Sequence, residues 1–227
     1  NLIVANFDND FRNLSAHDFA TILVKLNVKH LVLGDDFRFG HDRTGDSEFL
    51  RAFGLPVQIL HTVTDHAHQD ERVSSTRIRD CLQQGDLATA KHLLGRDYAI
   101  TGMVEHGDKI GRTLDFPTAN IALNRIKPAL HGIFAVSVTA TDGTDLSTLG
   151  KNTQTGVQGL TKGSLFGACN VGTRPALKNK YGVEWRLEVN FPKFDGDLYG
   201  KELTVTFLHF LHGEINYPSL DALKQGI

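Results

Sequence analysis

Residues 185–191, Trp-Arg-Leu-Glu-Val-Asn-Phe, alternate strictly between apolar and polar side chains. This period of two is typical of a strand with one buried and one exposed face. Four further stretches of strand-like sequence, separated by glycine-rich turns, occur at 98–104, 132–141, 165–172 and 202–211. Short strands at this spacing favour a sandwich or a barrel, and we predict a small closed barrel. The polar stretch 142–164 is predicted to be a long hairpin loop.

The first 60 residues instead alternate between helix and strand signals. A capping serine at position 15 precedes apolar residues at the spacing of one helix face, namely Phe19, Ile22, Leu23 and Leu26. A strand at 31–33, a helix beginning at 46 or 47 and a strand at 56–60 follow. This order predicts a parallel sheet flanked by helices. Ligands bind beyond the carboxyl ends of such strands, where the loop 34–40 lies.

Two short helices are predicted at 75–84 and 87–94, and the change from mixed to all-β character places a domain boundary near 95–97. The chain has 227 residues and a formal net charge of −2, which argues against a strongly basic nucleic-acid binder. The sequence contains no apolar run of about 18 residues, so we expect no membrane partner. Cys81 and Cys169 are expected to be free thiols of a cytoplasmic protein.

The most distinctive local pattern is a glycine-rich segment at 102–112, followed by Phe-Pro-Thr-Ala-Asn at 116–120. Backbone amides beside glycines, together with cations, are suited to bind phosphate. The residues concerned are Gly102, Gly107, Gly111, Lys109 and Arg112. Thr118 and Asn120 supply two hard oxygen ligands, as a Mg²⁺ site beside phosphates requires. A glycine-rich hairpin with a proline turn explains the composition equally well.

On the strand at 185–191, the polar residues Arg186, Glu188 and Asn190 share one face. The ordinary interpretation is a solvated outer face. The functional interpretation makes Glu188 a carboxylate general base.

A third pattern, Ser-Ser-Thr-Arg-Ile-Arg at 74–79, begins a predicted helix. Its hydroxyls are suited to cap the helix, and its amides with Arg77 and Arg79 are suited to bind a phosphate. Two arginines in the first turn oppose the helix dipole, which indicates an anionic ligand.

These three segments, in this order, resemble the bifunctional prokaryotic riboflavin kinase/FMN adenylyltransferase family, also called FAD synthetases. Leu-Gly-Asp-Asp-Phe-Arg-Phe-Gly at 33–40 is similar to the adenylyltransferase loop of that family, and Val-Ser-Ser-Thr-Arg-Ile-Arg at 73–79 to its second nucleotidyl-transfer motif. The segment 98–120 resembles the phosphate and magnesium segment of the kinase module. Leu-Glu-Val at 187–189 and Asp-Leu-Tyr-Gly at 197–200 resemble its catalytic strand and the following turn.

For the kinase module, the resemblance implies that riboflavin is phosphorylated to FMN with ATP and Mg²⁺. Glu188 would be the base for the riboflavin 5′-hydroxyl, and Thr118 and Asn120 would hold the magnesium nucleotide. The residues implied to bind the ATP phosphates are Gly102, His106, Gly107, Asp108, Lys109, Gly111, Arg112, Thr118 and Asn120. Those implied to bind the flavin are Asn170, Gly172, Arg174 and Tyr199.

For the other module, the resemblance implies that FMN is adenylylated to FAD with release of pyrophosphate in the full-length protein. The residues implied are Asp36, Phe37, Ser74, Ser75, Thr76 and Arg79. The implied fold is a partial Rossmann-like nucleotidylyltransferase domain at 1–95, followed by a Greek-key-like barrel at 96–227. The His-x-Gly-His motif of the family does not occur here, so we expect the first domain to be incomplete at its N-terminus.

Two other functions stay open. The barrel is either the kinase or a flavin-binding module without catalysis. The first module is either the FMN adenylyltransferase or an adenylyltransferase of another substrate, such as a pantetheine-type compound, fused to a structural barrel. Riboflavin, FMN and ATP are the expected partners.

Overall fold

The structure is a computed structural model, and it describes residues 4–65, 71–106, 118–123, 127–150, 161–175 and 183–214. The chain folds as two compact units, Asn1–Val73 and Ser74–Ile227. Each unit has its own hydrophobic core. No helix in the described part of the chain combines the length and the apolar character needed to cross a membrane.

The first unit contains a parallel strand pair with helices, as the sequence predicts. Its elements are α1 (Asn9–Arg12), α2 (Ala16–Lys25), β1 (Leu31–Gly34), a 3-10 turn (His41–Arg43), α3 (Ser47–Ala52), β2 (Val57–Leu60), β3 (Thr64–Asp65) and β4 (Glu71–Arg72). Strands β1 and β2 are parallel neighbours, with Leu31 opposite Val57. The predicted parallel sheet is therefore confirmed for these two strands.

Side-chain caps begin both longer helices of this unit. The Ser15 hydroxyl accepts a hydrogen bond from the Asp18 amide at 3.0 Å, and the Asp46 carboxylate accepts one from the Phe49 amide at 2.9 Å. The predicted inward face of α2 is wrong at Leu26, which is 55% exposed. The helix ends at Lys25, so Leu26 follows its last turn, and Ala16 and Ala20 are the residues of α2 that are buried.

The second unit is a six-stranded closed barrel preceded by two helices. Its elements are α4 (Ser75–Gln83), α5 (Leu87–Leu94), β5 (Ala99–Glu105), β6 (Thr118–Ile121), β7 (Gly132–Ala140), a 3-10 turn (Leu146–Thr148), β8 (Leu165–Pro175), β9 (Val183–Asn190) and β10 (Glu202–His212). The order around the barrel is β10-β5-β6-β9-β8-β7. The predicted closed barrel is confirmed, and β7 and β8 pair as the predicted antiparallel hairpin.

Strand β6 is the one barrel strand that the sequence analysis missed. It has only four residues, follows Pro117 and includes Asn120, and these residue types are unfavourable in strands. Pairing with β5 and β9 on both sides fixes it in place. A final helix predicted to begin at Ser219 lies outside the described residues.

The barrel core is filled by alternating inward-facing residues. Phe134 and Phe207 are almost fully buried, and their rings meet edge to face with centroids 5.2 Å apart. Leu82 of α4 and Ala90 of α5 belong to the same core. The two helices therefore pack with the barrel, whereas the domain boundary near 95–97 stays a prediction.

Gly102 lies in β5, at a position where close packing leaves no room for a side chain. A Cβ at this position would overlap the carbonyl oxygen of Ala122 and lie 2.9 Å from the Ile121 side chain.

We expect Gly102→Ala to destabilise the protein by about 1–3 kcal/mol, because a backbone atom has to move. Thermal denaturation measures this loss. Gly213→Ala is the matched control, because no described atom lies within 4 Å of the added Cβ. Equal melting temperatures for the two variants would contradict the packing argument.

Candidate active site

The strand register brings together two residues that lie far apart in the sequence. Asn120 of β6 is directly opposite Glu188 of β9, and Thr118 is opposite Asn190. Ile121, Leu187 and Val189 are buried in the barrel core. Because side chains alternate along a strand, Thr118, Asn120 and Glu188 share the outer face of the barrel. Directly opposed residues have Cβ atoms about 4.5–5.5 Å apart, so the amide and the carboxylate are neighbours.

The next strand extends this arrangement. Asn170 of β8 is opposite Glu188 on its other side. Asn120, Glu188 and Asn170 thus form a line across three strands, which we call the polar row. Arg186 lies beside the row, with Nη1 3.9 Å from Oε1 of Glu188. The Glu188 side chain is 31% exposed, so it is partly shielded and still reachable by a ligand.

A pocket of about 280 Å³ lies at the start of β6. Thr118 forms part of its wall, and so do the acidic residues Asp195 and Asp197. The other lining residues are Val104, Ala119, Phe191, Phe194, Gly196, Leu198 and Tyr199. The pocket therefore combines apolar side chains with oxygen groups at Thr118 and on the neighbouring turn.

Tyr199 contacts a residue that the sequence analysis assigned to a different ligand. Its ring packs on His106 with centroids 4.0 Å apart. The resemblance implied ATP binding for His106 and flavin binding for Tyr199, and the structure places the two rings in contact, with Tyr199 in the pocket wall. The carboxylate of Asp197 accepts a hydrogen bond from the Tyr199 amide at 3.0 Å, which fixes the turn.

Gly172 lies two residues beyond Asn170 on β8, opposite Arg186. It is buried, and a Cβ there would overlap the carboxylate oxygen of Glu214. The backbone of Arg174 belongs to β8, whereas its side chain lies outside the described residues. Behind the row, Cys169 is buried, and burial together with the Glu188 charge raises the pKa of its thiol well above the usual range. Cys169 is therefore a protonated core residue.

Most of the predicted phosphate-binding segment is outside the described residues. This applies to Gly107, Asp108, Lys109, Gly111 and Arg112. Their role stays a prediction.

In the first unit, hydrogen bonds and ion pairs hold the residues that follow β1. The Asp35 carboxylate accepts hydrogen bonds from the Thr62 amide at 2.8 Å and the Thr62 hydroxyl at 2.9 Å. Asp36 pairs with Arg72 at 2.6 Å, and this hydrogen bond and the charge of Arg72 lower the pKa of Asp36. Phe37 stacks on Phe39 with ring centroids 5.6 Å apart. Asp36 is thus exposed at the carboxyl end of the parallel pair, whereas Phe37 is half-buried against the core.

In the second unit, the residues predicted for nucleotidyl transfer begin α4. The Ser74 hydroxyl accepts a hydrogen bond from the Arg77 amide at 3.2 Å, so Ser74 is an ordinary helix cap. Ser75, Thr76 and Arg79 are exposed at the same end of the helix. Their phosphate-binding role stays a prediction.

Asp195 and Asp197 line the pocket, although neither was among the site residues predicted from the sequence. Both lie in Asp-Gly-Asp at 195–197, a turn-forming pattern that is recognisable in the sequence. Its position beside Thr118 depends on how β6 pairs, and that pairing is not visible in the sequence.

Comparisons with known proteins agree with both units. The family model described as riboflavin kinase matches residues 94–227, more than half of the chain. The model described as FAD synthetase matches residues 1–77.

Named relatives also combine a riboflavin kinase with an FMN adenylyltransferase. The bifunctional riboflavin kinase/FMN adenylyltransferase of Haemophilus influenzae is 38% identical over 98% of this chain and 66% of its own length. The enzyme of the same name from Escherichia coli is 37% identical over 100% of this chain and 66% of its own length. A crystal structure of a macrolide-efflux protein from Streptococcus pneumoniae has a TM-score of 0.68 and 29% identity, over 97% of this chain and 65% of that one.

The chain spans about 66% of the length of these two named relatives. The match to the FAD synthetase model precedes the match to the riboflavin kinase model along the chain. The corresponding sequence motifs occur in the same order. The protein belongs to the bifunctional riboflavin kinase/FMN adenylyltransferase family.

Proposed function

We propose that the second unit transfers the terminal phosphate of ATP to the 5′-hydroxyl of riboflavin and so forms FMN. The observation that carries this proposal is the register between β6 and β9, which sets Glu188 beside Asn120 and close to the pocket at Thr118. A carboxylate and two candidate metal ligands share the outer face of the barrel, and one of these ligands, Thr118, also lines the pocket.

In the proposed reaction, the Glu188 carboxylate accepts the proton of the riboflavin 5′-hydroxyl. The hydroxyl oxygen forms a bond to the γ-phosphorus, the bond from that phosphorus to the bridging oxygen breaks, and ADP leaves. Phosphoryl transfer of this kind depends on positioning and on neutralisation of charge, with little covalent work by the protein. The guanidinium of Arg186 lies beside this carboxylate, with Nη1 3.9 Å from Oε1 of Glu188.

The residues at the pocket fit a magnesium ion. Mg²⁺ prefers oxygen ligands and usually keeps contacts to substrate phosphates and water. The Thr118 hydroxyl and the Asn120 amide oxygen would hold it, and Asp195 and Asp197 line the same pocket as Thr118. When bound, the ion would neutralise negative charge on the nucleotide phosphates.

For the full-length protein we propose adenylylation of FMN at the domain that includes the first unit, in which the FMN phosphate attacks the α-phosphorus of ATP and pyrophosphate leaves. Asp36 lies at the carboxyl end of a parallel strand pair, the edge at which ligands bind in α/β sheets. The resemblance also assigns phosphate binding to Ser75, Thr76 and Arg79, which belong to α4 of the second unit. The division into domains 1–95 and 96–227 and a cytoplasmic location are part of this proposal.

Incubation with riboflavin, ATP and Mg²⁺, followed by chromatography, tests the kinase function. We expect ADP in an amount equal to the sum of FMN and any FAD formed from it. A protein that binds flavin and forms no FMN would be the non-catalytic barrel instead. Adenylylation of a pantetheine-type substrate without use of FMN would identify the first unit as a different adenylyltransferase.

A further inference from the structure

We propose that Arg72 is a positioning residue for adenylylation. It holds the loop 34–40 through its ion pair with Asp36, and Asp36 acts through this pair without contacting FMN or ATP. The inference rests on the proposed adenylylation of FMN and adds Arg72, a residue to which the family resemblance gives no role. The Asp36 carboxylate accepts a hydrogen bond from Arg72, with Oδ2 2.6 Å from Nη2. Asp36 lies just beyond the end of β1, and Arg72 belongs to β4, so the pair joins the loop to a separate strand.

The neighbouring residue of the loop makes a second attachment. The Asp35 carboxylate accepts hydrogen bonds from the amide and the hydroxyl of Thr62, which precedes β3. Arg72 in turn pairs with Thr64 across the antiparallel strands β3 and β4. Two consecutive carboxylates, Asp35 and Asp36, therefore attach the loop to both strands of this pair. Attachment at two points restricts the path of the loop more than either contact alone would.

The Asp36 carboxylate is folded back over the end of β1. Its Oδ2 atom binds Arg72, and its Oδ1 atom lies 3.2 Å from the position that a Cβ would take at Gly34. The hydrogen bond and the charge of Arg72 lower the pKa of Asp36, so the pair is fully ionised near neutral pH. Both side chains are more than half exposed, and such pairs contribute little to folding stability. We therefore expect the pair to affect the position of the loop and not the stability of the unit.

The charge of the substrates also argues against direct contact with Asp36. FMN and ATP both carry phosphates, and a carboxylate that faces a phosphate repels it. Arg72 neutralises Asp36 at the strand edge where the substrates are proposed to bind. The next residue, Phe37, packs against the core and stacks on Phe39, so the loop is held on that side as well. The contacts of Asp36 thus favour a role in holding the loop.

A double-mutant cycle in the full-length protein tests this inference, with FAD formation from FMN and MgATP as the measurement. We expect Arg72→Met and Asp36→Ala each to lower kcat about tenfold, because a displaced loop no longer holds the substrates in reactive geometry. The KM for FMN should change little. The double variant should lose no more than either single variant, since both substitutions remove the same contact. Arg72→Lys keeps the charge and should retain most of the activity.

Glu48→Ala is the matched control, because it breaks the ion pair between Glu48 and Arg51, which is also exposed and lies on α3 of the same unit. This variant should form FAD like the wild type. Losses that multiply in the double variant would overturn the inference, since Asp36 would then act on a substrate or a metal ion independently of Arg72. A loss confined to the KM for FMN would overturn it as well. Should Asp36→Ala lower the melting temperature, Asp36→Asn, which keeps the shape of the side chain, takes its place in the cycle.

The two proposals fail in different ways. If the wild type forms FAD and Arg72→Met forms it at the same rate, adenylylation stands and the role of Arg72 is wrong. If the full-length wild type forms FMN and no FAD, both the adenylylation and the role of Arg72 are wrong, whereas the kinase function stands.

Discussion

Glu188→Gln is expected to reduce FMN formation by about 10²–10⁴-fold, the contribution typical of a positioned general base. The substitution keeps the shape of the side chain and removes the group that takes the proton. Leu187 and Val189, on either side, remain buried in the core, so the barrel should fold as before. Steady-state kinetics with riboflavin and MgATP measure the loss, which should fall on kcat while riboflavin affinity changes little.

The matched control is Glu202→Gln on β10. Glu202 is also a carboxylate on a barrel strand, and it accepts a hydrogen bond from the Thr141 hydroxyl at 2.8 Å, away from the polar row. This variant should keep full activity. Near-normal turnover in Glu188→Gln would show that another group removes the proton.

The second large effect is expected when the proposed magnesium ligands are removed. Thr118→Val keeps the shape of the side chain, and valine also favours strands. The substitution removes only the hydroxyl oxygen. A hydrogen bond or ligand contact to a charged group contributes about 1.5–3 kcal/mol, which corresponds to roughly 10- to 100-fold in affinity. We therefore expect binding of Mg²⁺-ADP, measured by calorimetry, to weaken by about that factor. Asn120→Leu should act in the same direction.

Thr139→Val provides the comparison for this experiment. Thr139 lies on β7 opposite Thr204, on a strand that does not adjoin β6 or β9. Removal of the Thr139 hydroxyl should leave the affinity for Mg²⁺-ADP unchanged. The proposed metal site would be excluded if Thr118→Val and Asn120→Leu both bound Mg²⁺-ADP with wild-type affinity.

Local sequence patterns predicted most of the elements because their signals lie within a few residues of one another. Ser15 and Asp46 each precede a helix whose third amide they cap, and this relation is visible in the sequence. Strand β9 alternates without interruption from 185 to 190, so its two faces were predictable. Leu26 was misassigned because a periodic pattern does not show where a helix ends.

The sequence also showed that the strand face carrying Glu188 is polar, but it did not show whether this face has a function. A row of polar residues on a strand is usually a solvated face, and Arg186, Glu188 and Asn190 fit that description. The family resemblance supplied the role of Glu188. The residues directly opposite Glu188, Asn120 and Asn170, come from two other strands, and only the strand register identifies them.

The sequence by itself determined that a helix-and-strand unit precedes a small barrel, because hydrophobic periodicity and caps act over short distances. Only the tertiary structure decided that Thr118 and Asn120 belong to a strand, that this strand lies beside β9, and that Asp195 and Asp197 reach the same pocket. The physical reason is that backbone pairing across the barrel, which no local pattern encodes, stabilises a four-residue strand of low intrinsic propensity and fixes which side chains face one another.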